Sequence, residues 1–440
     1  MEGAGSVLRG SERLDFLRRA LPEKSFQGGK KWRLSTAAFP LSPKTVADLR
    51  RLGPVLARFQ QMSDLVYRRS VLGSLPPWMG EYLDRGKPEP LIRYGRRGAL
   101  AGSVPAVIRP DLILGENALG LTELDSVPGG IGFTAWLNET FAAMGEPVLG
   151  GARGMLDGMR SIAPDGADVV ISEESQDYRP EMEWLVAKLG ETHWQVHSAE
   201  TYQPRGKRVY RFFELFDLPQ IPFALAELEN EKLGIDFTPP MKAFLEEKLW
   251  LALFWSLPLR EVWRRGLRAS HWEFLSRFIP YSWVVDPAPI PHHAVLPRLE
   301  ATSFAELAGQ SHQKHRLVLK ISGYSETAWG SRGVWVGDDL SQSEWAGAMG
   351  QALESFPRHP HVLQELCPSR LVEHPFWTED GQEVVMRGRV RLCPYYFVPA
   401  GGGKPSLGGV LATVCPDDKK KLHGMRDAAL VPCVEAEGGY

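Results

Sequence analysis

Apolar residues in the first 90 positions recur at a helical spacing. Between Ser42 and Met62 they fall three or four positions apart, which places them on one face of a helix. Ser42 and Pro43 stand where an N-cap residue and the first helical residue are favoured. We therefore predict that residues 1–90 form a mostly helical N-terminal segment, with one long helix beginning after Ser42.

From residue 91 to residue 149 the pattern changes to short apolar runs separated by turn residues. Such runs are typical of strands, and the Gly and Asn residues between them favour turns. The predicted elements are strands at residues 106–108, 112–114 and 119–124, turns at 115–117 and 129–130, and a helix at 134–144. The last two strands are expected to pair as a hairpin.

Residues 150–235 are predicted to form a separate α/β unit. The run Ala-Asp-Val-Val-Ile at residues 167–171 is typical of a buried strand. An amphipathic helix at 180–189 and a second strand at 193–197 follow it. A strand, a helix and a strand at this spacing indicate a small parallel sheet.

Residues 236–440 join a helical half to a strand-rich half. The predicted elements are helices between 240 and 278, a proline-rich connector at 287–297, strands at 316–321, 334–336, 361–366, 384–398 and 408–414, and a helix at 341–356. Ser341 followed by Glu344 is a capping-box pattern at the start of that last helix. At about 100–200 residues per domain, a chain of 440 residues is expected to form two or three domains.

Charge and cysteine content narrow the class of protein. With 51 Lys and Arg against 53 Asp and Glu, the net charge of −2 gives no reason to expect nucleic acid or an anionic membrane as a partner. The four cysteines form no Cys-X-X-Cys pair, so a zinc knuckle or redox dithiol is not expected. The N-terminus lacks the apolar core of a signal peptide, and the most apolar run, residues 249–257, is too short to span a bilayer. We expect a cytoplasmic protein.

Charged residues gather in the predicted hairpin. Arg109 and Asp111 precede the turn, and Glu123 and Asp125 follow it. Asp111 and Glu123 can face each other from paired strands, and the i, i+2 spacing puts Glu123 and Asp125 on one face. Three carboxylates collected there would favour a cation, and Mg²⁺ prefers oxygen ligands and brings phosphates with it. A solvated hairpin that binds no metal is the alternative.

Lys320 ends an apolar predicted strand and precedes a loop that is rich in small residues. These residues are Ser322, Gly323, Ser325, Gly330, Ser331 and Gly333. The backbone N–H groups of such a loop can approach a phosphate unhindered, although the loop is not a Walker A sequence. An ordinary strand–loop–strand hairpin is the alternative.

Two later predicted strands carry further candidate residues. The strand at 361–366 ends in Gln364, Glu365 and Leu366, and it could offer backbone groups to an adenine edge. The strand at 384–398 places on one face the arginines Arg387, Arg389 and Arg391. Arg suits phosphate because its planar fork donates two bonds. An ordinary core strand and a solvated sheet face are the alternatives.

The sequence resembles the circularly permuted ATP-grasp ligases, the group that includes glutathionylspermidine synthetase. The resemblance lies in four features and their order: the hairpin, the strand lysine, the later strand and the arginines. That family has an Arg-X-Asp motif followed, at the spacing seen here, by a Glu-X-Asn motif. Arg109, Asp111 and Glu123 match these motifs, and Asp125 stands in place of the Asn.

The resemblance covers residues 90–440 and implies an α/β (α+β) fold. This fold is a circularly permuted ATP-grasp preceded by the N-terminal helical segment of residues 1–90. Residues 91–149 would be its metal-binding hairpin part and residues 236–440 its nucleotide-binding part, with 150–235 inserted as a pre-ATP-grasp unit.

The resemblance also implies roles for single residues. Those that would bind Mg²⁺ are Asp111, Glu123 and Asp125. Those that would contact ATP are Lys248, Lys320, Gly323, Gly333, Gln364, Glu365 and Leu366. Arg109 would stabilise the charge of the tetrahedral intermediate or of the acyl phosphate. The family's late Arg, which steadies the transferred phosphate, has no clear single match, and Arg389 or Arg391 are the candidates. The chain departs from the family in its longer loop after Lys320, which holds Trp329, and in the long interval between Lys248 and Lys320.

The implied activity is that of an ATP-dependent carboxylate–amine ligase that needs Mg²⁺ and forms an amide through an acyl phosphate. Its partners would be a carboxylate and an amine, each a small molecule or a peptide. A catalytically inactive, ATP-grasp-like nucleotide-binding partner protein and a small-molecule phosphotransferase are the alternatives. The pair His292-His293 lies in the proline-rich connector, where we do not expect a metal site.

Overall fold

The computed structural model describes residues 10–22, 26, 32–205, 208–230, 234–291, 294–328, 332–419, 421–422 and 427–440. These residues form a mixed α/β structure in which helices cover three separate sheets. Within these ranges, no helix combines the length and the apolar composition that crossing a bilayer would need.

The helices and strands are numbered in chain order. The helices are α1 (Gly10–Ala20), α2 (Pro43–Val71), α3 (Trp78–Asp84), α4 (Glu89–Arg96), α5 (Ile131–Ala143), α6 (Gly154–Ile162), α7 (Arg179–Leu189), α8 (Pro222–Asn230), α9 (Leu249–Trp255), α10 (Arg260–Leu267), α11 (Ala269–Phe278), α12 (Phe304–Gly309), α13 (Ser311–Lys314) and α14 (Gln342–Ser355). The strands are β1 (Phe39–Leu41), β2 (Val107–Leu114), β3 (Leu119–Asp125), β4 (Ala167–Ile171), β5 (Trp194–Ser198), β6 (Arg208–Phe212), β7 (Asp236–Thr238), β8 (Ser282–Val284), β9 (Leu317–Ile321), β10 (Val334–Val336), β11 (His361–Glu365), β12 (Leu371–Trp377), β13 (Glu383–Phe397), β14 (Ser406–Pro416) and β15 (Ala429–Glu435).

The largest sheet has seven strands. Six of them lie in the order β1-β15-β14-β13-β2-β3, and the seventh, β12, pairs with the first half of β13. The β2–β3 hairpin therefore joins the long C-terminal strands in one sheet, although it lies far from them in the sequence. Most of β14 is buried, since α5 and α6 pack against it. A sheet buried in this way is held in place by its apolar residues, which fixes the position of the charged residues at its margin.

A second, antiparallel sheet has the order β10-β9-β11-β8. All five residues of β9 are buried, because helices α13 and α14 pack against it. This burial holds Lys320, the fourth residue of β9, at a defined height in the sheet, and its neighbour on β11 is Val362.

A third sheet, in the order β5-β4-β6-β7, is parallel throughout. Helix α7 connects β4 to β5, which confirms the small parallel sheet predicted from the strand–helix–strand pattern. Parallel neighbours need such a crossover because their connection must return to the starting edge.

The N-terminal helix prediction is confirmed, and α2 continues past the predicted end to Val71. The Ser42 hydroxyl accepts a hydrogen bond from the Thr45 N–H, 3.3 Å away, as an N-cap should. The first 90 residues also contain β1, which was not predicted and which pairs in parallel with β15. A three-residue strand has too few positions to show an alternating pattern.

The number of predicted strands was wrong in two places. Residues 106–108 and 112–114 were predicted as separate strands, but residues 107–114 form the single strand β2, because the stretch between the two apolar runs also pairs with β3. Strands β12 and β15 were not predicted, and each contains a proline, Pro375 and Pro432. The capping box of Ser341 and Glu344 is confirmed at α14. All four cysteines are free, and Cys367 alone among them is not fully buried.

Candidate functional site

The β2–β3 hairpin brings the predicted charged residues to one face. Asp111 lies opposite Glu123, and Arg109 lies opposite Asp125. Directly opposed residues on antiparallel strands point to the same side, so the four side chains are neighbours. A register shift directly after Asp111 changes the pairing beyond this point. The predicted facing of Asp111 and Glu123 is therefore present in the structure.

Asp111 is buried at the base of this face and is held by two guanidinium groups. Its Oδ2 accepts a hydrogen bond from Arg391 Nη1 at 2.7 Å, and Arg109 Nη2 lies 3.3 Å from Oδ1. The Cys393 thiol also donates to Oδ1, at 3.4 Å. Burial by itself would raise the pKa of Asp111, but the charges of Arg391 and Arg109 outweigh it and lower the pKa. Asp111 is thus a carboxylate with a strong cationic environment.

The Arg109 guanidinium forms hydrogen bonds to groups on and just after its own hairpin. Its Nη2 donates to Asp125 Oδ2 at 2.6 Å, and its Nη1 donates to the Gly129 carbonyl at 3.1 Å. Asp125 Oδ1 accepts from the Val127 N–H at 2.9 Å. Burial raises the pKa of Asp125, and the Arg109 charge opposes that rise. Arg109 is placed to orient the two aspartates, and its predicted contact with the acyl phosphate stays a prediction.

Lys248 ties the hairpin to the loop that follows β9. Its Nζ lies 2.8 Å from Glu123 Oε1 and donates to the Ala328 carbonyl at 2.9 Å. Burial would lower the pKa of Lys248, but the neighbouring Glu123 carboxylate outweighs it and raises the pKa. The residue stands directly before α9, so the predicted lysine is brought to the hairpin by the start of that helix.

Lys320 lies on the other side of the same space and has neutral partners. Its Nζ donates to the Thr122 carbonyl at 3.0 Å and to Gln364 Oε1 at 2.8 Å. Burial lowers the pKa of Lys320 to about 8, with the Glu123 charge opposing that shift. A buried ammonium without a carboxylate partner is stabilised by an added anion.

A cavity of about 240 Å³ lies between the hairpin face and the β9–β11 sheet. The predicted site residues in its wall are Asp111, Glu123, Lys320, Gln364, Glu365, Leu366, Arg389 and Arg391. An adjoining cavity of about 70 Å³ has Glu123, Asp125, Lys248 and Gly323 in its wall. Glu123 lines both, so the two cavities meet at this carboxylate. Arg109 and Gly333 are in neither described wall, and Gly333 instead accepts a hydrogen bond from the Ile321 N–H.

Apolar residues that we did not single out from the sequence form one side of the larger cavity. They are Val318, Val334 and Val336, from β9 and β10. Together they offer a surface on which a planar base could lie. In the sequence these valines fit the pattern of ordinary strands, so the sequence did not indicate that they belong to a site.

The predicted role of β11 in binding an adenine edge stays a prediction, and the structure shows which groups of the strand already have partners. The Glu365 N–H donates to the Tyr281 carbonyl and the Leu366 N–H donates to the Arg316 carbonyl, both at 2.8 Å. These two backbone donors are therefore already in use. Gln364 is buried, with its amide bonded to Lys320 and to Ser282 Oγ. It therefore positions the lysine, and its predicted contact with ATP stays a prediction.

The three predicted metal ligands do not converge on one point. Among the described residues, no group of three or more His, Cys, Asp or Glu side chains is arranged to hold a metal ion. The reason is that Arg109 lies between Asp111 and Asp125 and binds both. Magnesium sites built on one or two carboxylates and substrate phosphates need no such group. Glu123, whose side chain is 35% exposed, has the oxygens most open to such an ion.

A buried ion pair behind the lysines was not predicted. Lys87 Nζ lies 2.5 Å from Glu247 Oε1, and the Ser322 hydroxyl donates to the other Glu247 oxygen. Ser322 also accepts, through its carbonyl, the Lys248 N–H at 3.1 Å. A Cβ on Gly323 would lie 3.0 Å from the Glu247 carboxylate, so glycine permits this close approach. The pair links the N-terminal segment to both lysine-bearing stretches.

Some predicted features lie outside the described residues. They are Trp329, Gly330 and Ser331 of the loop after β9, and His292-His293 of the connector.

Comparison with known proteins shows a similarity in fold. No family model and no curated protein sequence matches the chain. Among solved structures, a glutathione synthetase-like effector from Globodera pallida, in its apo form, aligns with a TM-score of 0.56 and 10% identity, over 99% of this chain and 100% of that one. A proposed γ-glutamylcysteine synthetase from Methylobacillus flagellatus aligns with a TM-score of 0.37 and 11% identity, over 83% of this chain and 84% of that one. No conclusion is based on this second alignment. The chain thus shares the fold of the Globodera pallida effector.

Proposed function

We propose that this protein is an ATP-dependent carboxylate–amine ligase that releases ADP, with a Mg²⁺-dependent, circularly permuted ATP-grasp architecture. The observation that carries the proposal is the cavity in which Asp111, Glu123 and Lys320 meet Arg389 and Arg391. These residues come from three distant stretches of the chain. Asp111, Glu123 and Lys320 correspond to motifs of the family that the sequence resembles, and Arg389 and Arg391 are the candidates for its late Arg.

The permuted arrangement has its own support. Arg391 and Asp111 form an ion pair although they are 280 positions apart. Strand β2 pairs directly with β13, so the hairpin part and the nucleotide-binding part share one sheet, while β4–β7 form a sheet of their own. A separate sheet of this kind supports an inserted unit, although β7 at Asp236–Thr238 extends it past the predicted boundary at residue 235. The fold of a glutathione synthetase-like effector is consistent with it.

In this proposal the nucleotide lies in the larger cavity. Its base packs against the apolar residues of β9 and β10, and its phosphates lie toward Lys320 and Lys248. Asp111 and Glu123 would hold Mg²⁺, and the ion would supply positive charge that offsets the charge of the phosphates. Arg389 donates to Ser369 Oγ at 2.8 Å and Arg391 to Asp111, which fixes both guanidinium groups in the cavity wall.

The reaction has two steps. A substrate carboxylate oxygen attacks the γ-phosphorus, the bond to the bridging oxygen breaks, and ADP leaves with that electron pair. The amine nitrogen then attacks the acyl-phosphate carbonyl, inorganic phosphate leaves, and the amine gives up a proton. The protein contributes position and positive charge, as in other phosphoryl transfers, and no protein nucleophile takes part.

A nucleotide-binding protein without ligase activity is the second candidate, and one observation favours it. Each predicted metal-binding carboxylate already has a cationic partner: Arg391 for Asp111, Arg109 for Asp125 and Lys248 for Glu123. A ligase would have to exchange at least the Glu123 pair for the ion when nucleotide binds. A phosphotransferase, the third reading, has no observation of its own.

The decisive experiment offers ATP, Mg²⁺ and pooled amino acids and peptides to the purified chain. We expect ADP release that depends on both a carboxylate and an amine, with an amide product in the mass spectrum. Glu123→Gln should lower the rate about 10²-fold or more, because a positioned charge of the site is lost. Glu116→Gln, in the exposed turn of the same hairpin, should leave the rate unchanged.

Three results would change the conclusion. Absence of nucleotide binding by calorimetry in the presence of Mg²⁺ would exclude all three readings. Binding without turnover would favour the inactive partner protein. ADP release with a stable phosphorylated compound and no amide would favour the phosphotransferase.

A further inference from the structure

A further cavity lies away from the proposed nucleotide site. It has a volume of about 840 Å³ and is formed by β8, the end of α9, residues 286–290, Leu296, Pro297 and the start of α12. It shares no described lining residue with the cavity around Lys320. Ser282 in its wall accepts a hydrogen bond from Gln364 Nε2 at 3.1 Å, so the two cavities stand on neighbouring strands.

Six aromatic side chains line this wall. They are Trp78, Tyr82, Trp255, Tyr281, Trp283 and Phe304. Trp255 and Tyr281 stack with centroids 5.0 Å apart, and Tyr281 and Trp283 have centroids 4.9 Å apart. Of the six, only Trp283 and Phe304 are fully buried, and the other four are half-buried. Partly exposed aromatic side chains in a concave site are a typical feature of ligand pockets.

The rings are already oriented by hydrogen bonds within the protein. Trp255 Nε1 donates to the Pro280 carbonyl at 3.0 Å, and Trp283 Nε1 donates to the Pro297 carbonyl at 2.9 Å. Their indole N–H groups are therefore not offered to a ligand, and what the cavity presents is ring surface. A cavity whose side chains are fixed in advance binds without an added ordering cost.

The charge of the wall limits the kind of ligand. Its described lining residues include no Lys, Arg or His, and their one carboxylate is Asp286. Asp286 accepts hydrogen bonds from the Tyr82 hydroxyl and from the Ala288 N–H. Among these described lining residues there is no cation to pair an anion, which would enter an apolar space next to a carboxylate and lose its hydration.

We propose that this aromatic cavity binds a flat, uncharged aromatic small molecule, at a site separate from the nucleotide cavity. A volume of about 840 Å³ is the size of pockets that enclose one such molecule, which are roughly 300–1,000 Å³. The proposal is independent of the ligase activity.

Two dyes that differ by one charge test the proposal. N-phenyl-1-naphthylamine is uncharged, and 8-anilinonaphthalene-1-sulfonate carries the same rings with a sulfonate. We expect saturable one-to-one binding of the uncharged dye, with increased fluorescence. The affinity for the sulfonate dye should be lower by about tenfold or more. Asp286→Asn should reduce that difference. ATP with Mg²⁺ should not displace the uncharged dye.

A matched pair of variants locates the site. Ala305 is exposed and lines the cavity, so Ala305→Trp should fill its mouth and abolish dye binding without disturbing the core. Ala101→Trp, at an exposed position away from the cavity, should leave dye binding unchanged. Dye binding that Ala305→Trp does not affect, or that ATP displaces, would overturn the proposal. A dimer in sedimentation that Ala305→Trp dissociates would assign the cavity to a second copy of the chain and overturn it as well.

Discussion

The surroundings of Lys248 and Lys320 differ, although the sequence suggested the same task for both. Lys248 faces the Glu123 carboxylate, which raises its pKa. Lys320 faces a backbone carbonyl and the Gln364 amide, and burial lowers its pKa to about 8. One lysine is paired with a carboxylate, whereas the hydrogen bonds of the other go to neutral groups. The partner, more than the depth of burial, therefore decides which lysine is prepared to receive an anion.

Both lysines depend on the ion pair between Lys87 and Glu247, whose side chains are 1% and 2% exposed. Glu247→Ala should lower the free energy of unfolding by about 3–5 kcal/mol, because it leaves a buried lysine without its partner. Chemical denaturation measures this change. Glu261→Ala, which removes the exposed partner of Arg264, should change stability by less than about 1 kcal/mol.

The double variant Lys87→Met/Glu247→Leu serves as a second control. Replacing both buried charges by apolar groups should recover much of the lost stability. If Glu247→Ala were as stable as the unaltered protein, the pair would not hold the two lysine-bearing stretches together.

Replacing each lysine by methionine should separate stability from binding. Lys320→Met should weaken ATP binding about tenfold or more, equivalent to about 1.4 kcal/mol, while stability at pH 7 increases because an unpaired buried charge is removed. Lys248→Met should weaken ATP binding and also lower stability by roughly 1 kcal/mol, because Glu123 loses its partner. Calorimetry and thermal melts measure the two quantities. Equal effects of both substitutions on stability would contradict the difference in their surroundings.

The pH dependence of nucleotide binding should come from Lys320. Its ammonium form attracts phosphate, and its pKa is about 8, so ATP affinity should fall as the pH rises from 7 to 9. Lys320→Arg keeps its charge throughout this range, so the affinity of that variant should not change with pH. Titration calorimetry at several pH values measures this effect, and a pH dependence that persists in Lys320→Arg would assign it to another group.

The same pKa shift predicts how stability varies with pH. The folded chain loses the Lys320 proton near pH 8, while the unfolded chain keeps it to about the usual value of 10.5. Between these values the unfolded state binds more protons, so the contribution of Lys320 to stability rises with pH in this window. The difference in stability between the unaltered protein and Lys320→Met isolates this contribution.

The hairpin was predictable because its signals are local. A turn of Gly-Glu-Asn between two apolar runs fixes the pairing of nearby residues, so Asp111 and Glu123 could be placed opposite each other from their spacing. The Ser341 cap of α14 and the strand at Ala167–Ile171 were predicted for the same reason.

Pairing over long distances left no such signal. Nothing near Lys87 indicates that its partner is Glu247, 160 positions away, and nothing near β1 indicates that it pairs with β15. The structure also changed the reading of Arg109, which binds Asp111 and Asp125 and so separates the expected metal ligands.

The sequence by itself determined the short-range elements of this protein: its amphipathic helices, its hairpin and the residues that share one face of each strand. These follow from backbone periodicity and turn chemistry, which act over a few residues. Only the tertiary structure decided which lysine meets a carboxylate, which aspartates meet arginines and where the cavities lie. Those outcomes depend on the burial and charge of residues that are distant in the sequence and become neighbours only when the sheets assemble.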